Sequence, residues 1–294
     1  MRRKVLVIGD VMTDVIVMPE GPIVKGSDRR ATVRTRPGGS GANQAVWLGA
    51  MGADVGLVAR VGAAERAGHE AYFSTLGVTP LLAADAELPT GALVCIVDPD
   101  GERSFLTDRG ANLHLCAEDL PDQLLDGLGL VVISGYALFA PGPRAAVRDF
   151  LARAKVRGVS VAVDPASEGF LLEVGPENFL AWTAGADWIF ANQDEARVLC
   201  GASELTAQMQ LLGAHYTNVV LKRGGLGAAL GNRDGVRLTM SAQIVTVVDS
   251  TGAGDAFAAG FLAAHVEGVG IEAALGKAIA AGARAVGSIG GQPS

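Results

Sequence analysis

Residues 248–262 read VDSTGAGDAFAAGFL, a glycine-rich turn that opens an apolar helix with one carboxylate at the opening. Gly252, Ala253 and Gly254 carry little or no side chain, so their backbone N–H groups can approach an anion closely. The free N–H groups of the following helix add positive partial charge. Asp255 beside this predicted anion cradle would repel a resting phosphate, but it can take a proton from a hydroxyl that attacks the phosphate. A simple helix-capping role for Asp255 is the alternative.

The same residues resemble the C-terminal motif of the ribokinase-like (PfkB) carbohydrate kinases, through DSTGAGD at 249–255 and AGFL at 259–262. The resemblance implies that Asp255 is the catalytic base. It also implies that the backbone of residues 252–254 forms an anion hole for the phosphoryl group transferred from ATP.

Composition narrows the class of protein. Of 294 residues, 49% are hydrophobic and 19% are charged, with a mean hydropathy of +0.32, as expected of a folded chain with a large core. The formal net charge of −7 and pI near 5.1 argue against non-specific binding to nucleic acid or to an anionic membrane. We therefore expect a small-molecule partner.

Cysteines and apolar runs favour a cytoplasmic location. The three cysteines are far apart and form no CxxC pair, which indicates a reducing compartment and argues against a disulfide or zinc framework. The four histidines are equally scattered, so a metal-ligand cluster is not expected. The apolar run near the start stops at Gly9, too short for a signal peptide, and no run of 18 apolar residues occurs.

Short β-branched runs alternate with helix-like stretches such as 144–157 along most of the chain. This alternation is typical of an α/β fold with a mostly parallel sheet covered by helices on both faces. In the resembled family the core is a three-layer αβα arrangement. The runs are residues 4–9, 55–59, 130–134, 159–164, 188–191 and 218–222, followed by a predicted hairpin over 228–240.

Four further extended segments form two excursions from this core. They are residues 15–17, 31–36, 92–97 and 103–107, with turn signals at 19–22 and 98–101. They could extend the main sheet or form a small separate one, which in the resembled family is a lid over the sugar site and a dimer contact. We predict a core of residues 1–12, 37–90 and 109–294, a lid of residues 13–36 and 91–108, and a homodimer through the lid.

Two stretches are candidates for substrate binding. Residues 37–43, PGGSGAN, precede a helix-like run at 44–51; their glycines would let backbone amides reach a polar ligand, and Asn43 offers a donor and an acceptor to a hydroxyl. A flexible loop with a helix cap is equally compatible. Asp14 follows the first strand and is either a sugar ligand or a solvated acid. The resemblance assigns Asp14, Gly39 and Asn43 to the sugar.

Two other stretches are candidates for the nucleotide. Residues 192–195, NQDE, open a helix after a strand, as an ordinary helix cap would, but they also resemble a family motif in which Glu195 positions Mg²⁺ through water. The backbone of residues 222–227, KRGGLG, either reaches a phosphate or forms a glycine-rich hairpin whose basic side chains are exposed. The resemblance matches Gly224 and Gly227 to a nucleotide-phosphate loop, and the charge of Lys222 or Arg223 could offset that of the phosphates. We therefore predict nucleotide contacts at Asn192, Lys222, Gly224, Gly227 and Thr251.

The tail, residues 278–294, is predicted to be a small-residue helix that ends in IGGQP. In related kinases this segment borders the adenine pocket. Together with the positions of Asp249 and Thr251 it also borders a monovalent-cation site, so K⁺ at Asp249 is one possible outcome. The family has an Asn where this chain has Ile279, which puts the adenine contacts in doubt.

Departures from the ribokinase pattern bear on the substrate. Met12 stands where ribokinases have Asn, and residues 134–136, SGY, stand where they have Glu, which weakens ribose as the acceptor. Residues 110–112, GAN, are ribokinase-like, whereas Arg109 resembles the basic residue of 2-keto-3-deoxygluconate kinases. An Arg fork suits a carboxylate or phosphate, and a solvated hinge residue is the alternative.

The sequence therefore predicts an ATP- and Mg²⁺-dependent kinase that phosphorylates a primary hydroxyl of a sugar or nucleoside, with a neutral acceptor favoured. An acid-sugar kinase and a non-catalytic sugar- or nucleotide-binding regulator are the alternatives. Asp255 argues against the regulator, because a regulator does not need the base. A nicotinamide dehydrogenase is disfavoured because the GxGxxG fingerprint is missing.

Overall fold

Thirteen strands are present in the residues that the computed structural model describes, 4–97 and 103–293. They are β1 (Lys4–Ile8), β2 (Met12–Pro19), β3 (Ala31–Gly38), β4 (Val55–Gly62), β5 (Val78–Asp85), β6 (Thr90–Val97), β7 (Arg103–Gly110), β8 (Leu128–Ser134), β9 (Ser160–Asp164), β10 (Trp188–Asn192), β11 (Asn218–Lys222), β12 (Ala228–Asn232) and β13 (Gly235–Met240). The described helices are α1 (Ser40–Ala50), α2 (Arg66–Thr75), α3 (Pro141–Val156), α4 (Glu168–Val174), α5 (Pro176–Trp182), α6 (Gln193–Cys200), α7 (Leu205–Leu212), α8 (Ala253–Val266) and α9 (Ile271–Val286).

The large sheet has the strand order β13-β12-β11-β10-β9-β8-β1-β4-β5. Its strands pair in parallel from β11 to β5, and the β12–β13 hairpin adds two antiparallel strands at one edge. The chain leaves β1 toward β4 on one side and later returns to β8 on the other. A ligand crevice is expected at such a reversal of strand order, outside the carboxyl ends of the strands.

Both faces of the large sheet are covered. In β1, Val5 and Val7 point to one hydrophobic cluster and Leu6 and Ile8 to the other, because successive side chains alternate across a strand. The first cluster includes α1, α8 and α9, and the second includes α3, α6 and α7. The predicted α/β fold with a mostly parallel sheet between two helical layers is confirmed.

The four predicted excursion segments form a separate sheet, called here the small sheet, in the order β3-β2-β6-β7. Each strand is longer than the segment predicted for it; β2, for example, spans Met12–Pro19 rather than 15–17. The turn predicted at 98–101 lies outside the described residues. The division into core and lid stays a prediction.

Helix α1 begins earlier than predicted. It starts at Ser40 rather than after Asn43, because Gly39 adopts φ 97° and turns the chain directly into the helix. Gly41 then lies against Gly9, where a Cβ on Gly41 would come within 2.6 Å of the Gly9 Cα. This close approach seats the first turn of α1 on the carboxyl end of β1.

Two further elements differ from expectation. Strand β5 was not predicted. Its Pro80 is tolerated because β5 is an edge strand that pairs only with β4 among the described residues. The tail helix α9 spans Ile271–Val286 rather than 278–294, and residues 287–293 continue without regular structure. None of the described helices combines the length and apolar character required to cross a membrane.

Candidate active site

A cleft of about 1610 Å³ lies at the carboxyl ends of the parallel strands, between them and the small sheet. All fifteen residues predicted for the site line this cleft. They are Asp14, Gly39, Asn43, Arg109, Asn192, Glu195, Lys222, Gly224, Gly227, Asp249, Thr251, Gly252, Ala253, Gly254 and Asp255. The structure thus brings them together, while the role of each stays a prediction.

Asp255 lies in the first turn of α8 and accepts three hydrogen bonds from the first turn of α1. Its Oδ1 accepts from Ser40 Oγ at 2.7 Å and from Gln44 Nε2 at 3.1 Å, and its Oδ2 accepts from Asn43 Nδ2 at 3.2 Å. Burial and the charge of Asp164 raise the pKa of Asp255 to about 7, although the bonds from Ser40 and Asn43 act to lower it. A carboxylate held in this way can accept a proton near neutral pH.

The turn before α8 has the geometry of an anion cradle. Gly252 adopts φ 72° at the start of the helix, and a Cβ there would collide with the backbone of Gly291. At Gly254 a Cβ would lie 3.2 Å from Lys222 Nζ, so a cation stands beside the turn. Close-packed glycines, a helix N-terminus and a lysine together favour an anionic group.

Lys222, which lies beside this turn, is influenced by the carboxylates of Asp164 and Glu195. Its Nζ donates to Asp164 Oδ2 at 2.8 Å. Burial would lower the pKa of Lys222, but the charges of Asp164 and Glu195 outweigh burial and raise it. The lysine is therefore a permanent cation at the bottom of the cleft, rather than the exposed base of the alternative interpretation.

Asn192 and Glu195 form a reciprocal helix cap at the start of α6. Asn192 Oδ1 accepts from the backbone N–H of Asp194 and of Glu195, both at 2.9 Å, and Glu195 Oε2 accepts from the Asn192 N–H at 2.8 Å. The capping alternative is thus present in the structure. It does not remove Glu195 from the cleft, and burial raises the pKa of its carboxyl despite the opposing charge of Lys222.

The glycine-rich stretch after β11 is a tight turn that continues into β12. Gly224 adopts φ 53°, and Gly227 adopts φ 88° where a Cβ would collide with the backbone of Met240. Arg223 Nε is buried in the cleft wall without a hydrogen-bond partner in the described part of the chain. A buried unpaired donor there is suited to an anionic ligand.

Residues 289–292 form a strap, called here the C-terminal strap, that ties several elements together. Arg36 Nη1 donates to Ile289 O at 2.7 Å, Trp47 Nε1 donates to Gly291 O at 2.8 Å, and the Gly290 N–H donates to Asp249 Oδ2 at 2.8 Å. The other oxygen of Asp249 accepts from the Thr251 N–H at 2.8 Å. Asp249 therefore anchors the anion turn to the strap, and the structure does not test it as a cation ligand.

Two buried acceptors on residues that line the cleft lack partners in the described structure. Asp14 Oδ1 and Asn43 Oδ1 have no hydrogen-bond partner among the described residues. Burial, reinforced by the charge of Asp10 and opposed by Arg36, raises the pKa of Asp14 to about 7. Asp14 is thus no solvated loop acid, and unpaired acceptors on two residues that line one cleft are suited to ligand hydroxyl groups.

Arg109 is held inside the cleft, which contradicts the alternative of a solvated hinge residue. Its Nη1 donates to Asp10 Oδ2 at 3.1 Å, and its guanidinium lies 4.7 Å from the centroid of the Tyr136 ring. The arginine side chain is 16% exposed and that of Asp10 is 3% exposed. Asn112 fixes the segment by accepting from the Val11 N–H at 3.1 Å and donating to Arg109 O at 2.9 Å.

Sequence reasoning missed three residues of this region: Ser40, Gln44 and Asp164. Asp164 could have been found, because it ends a predicted parallel strand and a proline follows it. Ser40 and Gln44 carried no signal of their own, since their role depends on how α1 packs against α8.

Known proteins similar to this chain are carbohydrate kinases and related enzymes. The model of the pfkB family of carbohydrate kinases matches residues 2–294. Curated relatives include a fructokinase of Klebsiella pneumoniae, 30% identical over 90% of this chain and 84% of that protein, and an ATP-dependent ribose-1-phosphate kinase of Halopiger xanaduensis, 29% identical over 97% and 92%. The bifunctional protein HldE of Shewanella baltica is 28% identical over 98% of this chain, which spans only 61% of that relative's length.

Solved structures share the fold. An adenosine kinase from Sinorhizobium meliloti superposes with a TM-score of 0.86 at 24% identity, covering 100% of this chain and 96% of the other. A protein from E. coli provisionally named ribokinase II, in complex with ATP and Mg²⁺, gives 0.86 at 23% identity, covering 98% and 94%.

Proposed function

The chain belongs to the pfkB family of carbohydrate kinases, and on this premise we propose that it transfers the γ-phosphoryl group of ATP to a primary hydroxyl of a neutral sugar or nucleoside. The observation that carries the proposal is the position of Asp255, a carboxylate with a pKa of about 7 in the turn next to Gly252–Gly254. A base and an anion cradle in one helical turn are what phosphoryl transfer to a hydroxyl requires.

The acceptor end of the cleft supports a polyhydroxyl substrate. The unpaired oxygens of Asp14 and Asn43 can accept hydrogen bonds from hydroxyl groups, and each hydroxyl removes an unsatisfied buried acceptor. Gly39 allows the turn beside them, because a Cβ there would lie 2.7 Å from Asp10 O. A primary hydroxyl placed next to Asp255 Oδ2 has its proton acceptor within reach, because that oxygen holds only the bond from Asn43 in the described structure.

The donor end of the cleft fits a nucleotide. Lys222 and the unpaired Arg223 Nε offer positive charge, and Gly224 and Gly227 form the neighbouring turn. The apolar side chains of Val248, Ile279 and Val286 also line the cleft and would contact the base. The E. coli structure with ATP and Mg²⁺ supports ATP as the donor.

Glu195 is the residue proposed to hold Mg²⁺ through water. Oxygen ligands with retained water suit this ion, and a second carboxylate, Asp164, accepts a hydrogen bond from Lys222 at 2.8 Å. When bound, Mg²⁺ would neutralise part of the charge on the nucleotide phosphates. We do not assign K⁺ to Asp249, whose two oxygens accept hydrogen bonds from the N–H groups of Thr251 and Gly290.

In the proposed mechanism, Asp14, Gly39 and Asn43 hold the acceptor so that its hydroxyl oxygen faces the γ-phosphorus in line with the leaving ADP. Asp255 accepts the hydroxyl proton as the new O–P bond forms. The backbone N–H groups of residues 252–254 stabilise the charge on the phosphoryl group in flight. The products are ADP and the phosphorylated acceptor.

A second candidate acceptor is an acid sugar or a sugar phosphate. Arg109 favours it, because its guanidinium lines the cleft and only Nη1 has a described partner. One relative is named for a neutral acceptor, fructose, and another for a charged acceptor, ribose 1-phosphate. Against it, Asp10 already neutralises Arg109, so we retain the neutral acceptor.

One screen tests these assignments. The purified protein is incubated with ATP and Mg²⁺ and with pentoses, ketohexoses, nucleosides, keto-deoxy acids or sugar phosphates, and ADP formation is measured against a no-acceptor control. Turnover confined to neutral acceptors supports the proposal, and turnover confined to acids or phosphates replaces it by the second candidate. No turnover with any acceptor, together with tight binding of one of them, favours the regulator.

We further propose a cytoplasmic homodimer that associates through the small sheet. Val33 and Leu106 are 57% and 62% exposed, and the strand register places both on the sheet face opposite Phe105, which lines the cleft. Charged substitution of both, Val33→Asp with Leu106→Asp, should convert a dimer into a monomer in analytical ultracentrifugation. A wild-type protein that sediments as a monomer would remove this proposal.

A further inference from the structure

Three polar side chains on one face of α1 converge on Asp255. Ser40, Asn43 and Gln44 stand at positions i, i+3 and i+4, which are neighbours on a helix surface. Two of them, Ser40 and Gln44, donate to Oδ1, whereas Oδ2 receives one bond, from Asn43. The two carboxylate oxygens are therefore not equivalent.

Gln44 differs from its two neighbours in its position. Ser40 and Asn43 line the cleft and can contact a ligand, but Gln44 is absent from the described residues of the cleft wall and is only 1% exposed. Its Nε2 also lies 3.4 Å from Ser40 Oγ. Gln44 thus reaches Asp255 from behind and can influence a reaction only through that carboxylate.

The other half of the Gln44 amide is unsatisfied. Oε1 is buried and has no hydrogen-bond partner in the described residues, which costs free energy of folding. Turning the amide over would set Oε1 against Asp255 Oδ1, two acceptors in contact, so the amide orientation is fixed. A methionine of similar volume would avoid the unpaired acceptor. A polar group kept at such a cost is expected where function requires it.

We infer that Gln44 is a positioning residue for Asp255: its Nε2 holds Oδ1 against α1 so that Oδ2 remains turned toward the acceptor hydroxyl. The inference rests on the proposed function of Asp255 as the base. A hydrogen bond donated to a carboxylate also favours its ionised form, so the same contact keeps Asp255 able to accept a proton.

The charged groups around Asp255 oppose one another. Asp164 on β9 raises its pKa and Lys222 on β11 lowers it. Tyr136, which follows β8, is itself affected by Asp255, and its own pKa is raised to about 12, chiefly by burial, so it stays neutral. Against this background, loss of the Gln44 bond should raise the pKa of Asp255, whereas a change of packing alone would leave it unaltered.

The test is Gln44→Met, with Gln208→Met as the matched control. Gln208 is also a buried glutamine, 3% exposed, but its amide donates only to backbone carbonyls in the described structure, Ala202 O at 2.9 Å and Gln193 O at 3.5 Å, and it is not among the described residues that line the cleft. We expect Gln44→Met to keep or raise the melting temperature while kcat falls about 10- to 100-fold and KM changes little. The acidic limb of its pH profile should move up by roughly one unit. Gln208→Met should lower the melting temperature and leave kcat and the limb unchanged.

A titration of the Asp255 carboxyl carbon by NMR gives a readout that does not need turnover, with Asp255→Asn as the assignment control. We expect the pKa to rise in Gln44→Met and to rise further in the isosteric Gln44→Glu, which also decides the matter if Gln44→Met does not fold. An unmoved pKa, or a kcat loss that only follows a loss of stability, would overturn the inference. A wild-type protein without kinase activity would instead remove the proposed function, and the titration would still report on the contact.

Discussion

The side-chain amide of Asn43 donates to Asp255 Oδ2 at 3.2 Å and so joins two residues that are 212 positions apart in the chain. One is the predicted substrate ligand and the other the predicted base. An acceptor hydroxyl that delivers its proton to Oδ2 must bind next to the Asn43 amide. Recognition of the substrate and activation of its hydroxyl therefore depend on the same hydrogen bond.

Asp255→Asn should abolish turnover while the substrates still bind. The amide preserves the shape of the side chain but cannot accept the proton, and loss of a general base commonly costs about 10²–10⁴-fold in kcat. Initial rates and calorimetric titration with ATP and with the acceptor would measure both effects. A kcat close to that of the wild type would exclude the proposed mechanism.

Asp14→Asn should stabilise the protein at high pH. The pKa of Asp14 is raised to about 7 from 3.8, so the native state holds a proton that the unfolded state has lost between these values. The contribution of Asp14 to stability is thus present below about pH 4 and is lost as pH rises toward 7. Relative to the wild type, the variant should gain about 1–3 kcal/mol between pH 4.5 and pH 8. Urea denaturation of both proteins at pH 4.5 and pH 8 measures this gain. The prediction is wrong if the difference in free energy of unfolding between the variant and the wild type is the same at both pH values.

Glu195→Gln should raise the Mg²⁺ concentration needed for half-maximal rate. A glutamine can still form the reciprocal cap with Asn192, so α6 stays intact while the carboxylate charge is lost. The matched control is Asp194→Asn, the exposed neighbour whose ion pair with Arg197 lies on the surface. Identical Mg²⁺ titrations of Glu195→Gln and the wild type would remove Glu195 from the metal site.

Arg109 separates the two classes of acceptor. With a neutral acceptor, Arg109→Lys should leave kcat/KM within a few-fold of the wild type, because the charge only balances Asp10. With a carboxylate or phosphate on the acceptor, loss of the two-pronged contact should cost about 1.5–3 kcal/mol in kcat/KM. Arg109→Ala is less informative, since it leaves the buried Asp10 unpaired. A large effect confined to acidic acceptors would overturn our preference for a neutral one.

Gly252→Ala should destabilise the protein more than Gly268→Ala. Both glycines have positive φ, 72° and 82°, so each alanine pays the left-handed penalty of about 1–2 kcal/mol. At Gly252 the new methyl group would also collide with Gly291, whereas nothing lies within 4 Å at Gly268. We expect a total loss of about 2–5 kcal/mol for Gly252→Ala, with loss of activity. Equal melting temperatures for the two variants would contradict the collision.

Much of the fold could be predicted from periodicity. Runs such as 130–134 and 159–164 are apolar on both faces, which only a covered parallel strand requires, and glycines mark their ends. Strand β5 is harder to predict, because its Pro80 is compatible with a strand only at the edge of a sheet, a position that tertiary packing sets. The start of α1 was misplaced because the packing of Gly41 on Gly9 does not appear in a local pattern.

The candidate site was predictable where residues follow strands or form motifs, as for Glu195 and Asp255, whereas Asp14, predicted to follow the first strand, lies within β2 of the small sheet. The carboxyl ends of parallel strands meet at one edge, so such residues converge whatever the details of packing. The Asp10–Arg109 pair and the Gln44–Asp255 contact could not be predicted. Each depends on the distance between two elements that are remote in sequence, which only tertiary packing sets.

The C-terminal strap also bears on how the chain is made. Arg36 donates a hydrogen bond to Ile289, which is 253 positions later in the chain, and Trp47 donates one to Gly291, which is 244 positions later. During synthesis from the N-terminus, Arg36 and Trp47 are made long before the residues to which they donate. The anion turn at Gly252 likewise cannot pack against Gly291 until that residue has been added. The site is therefore completed only when residue 291 has left the ribosome, and a shorter nascent chain would carry the base without a finished cradle.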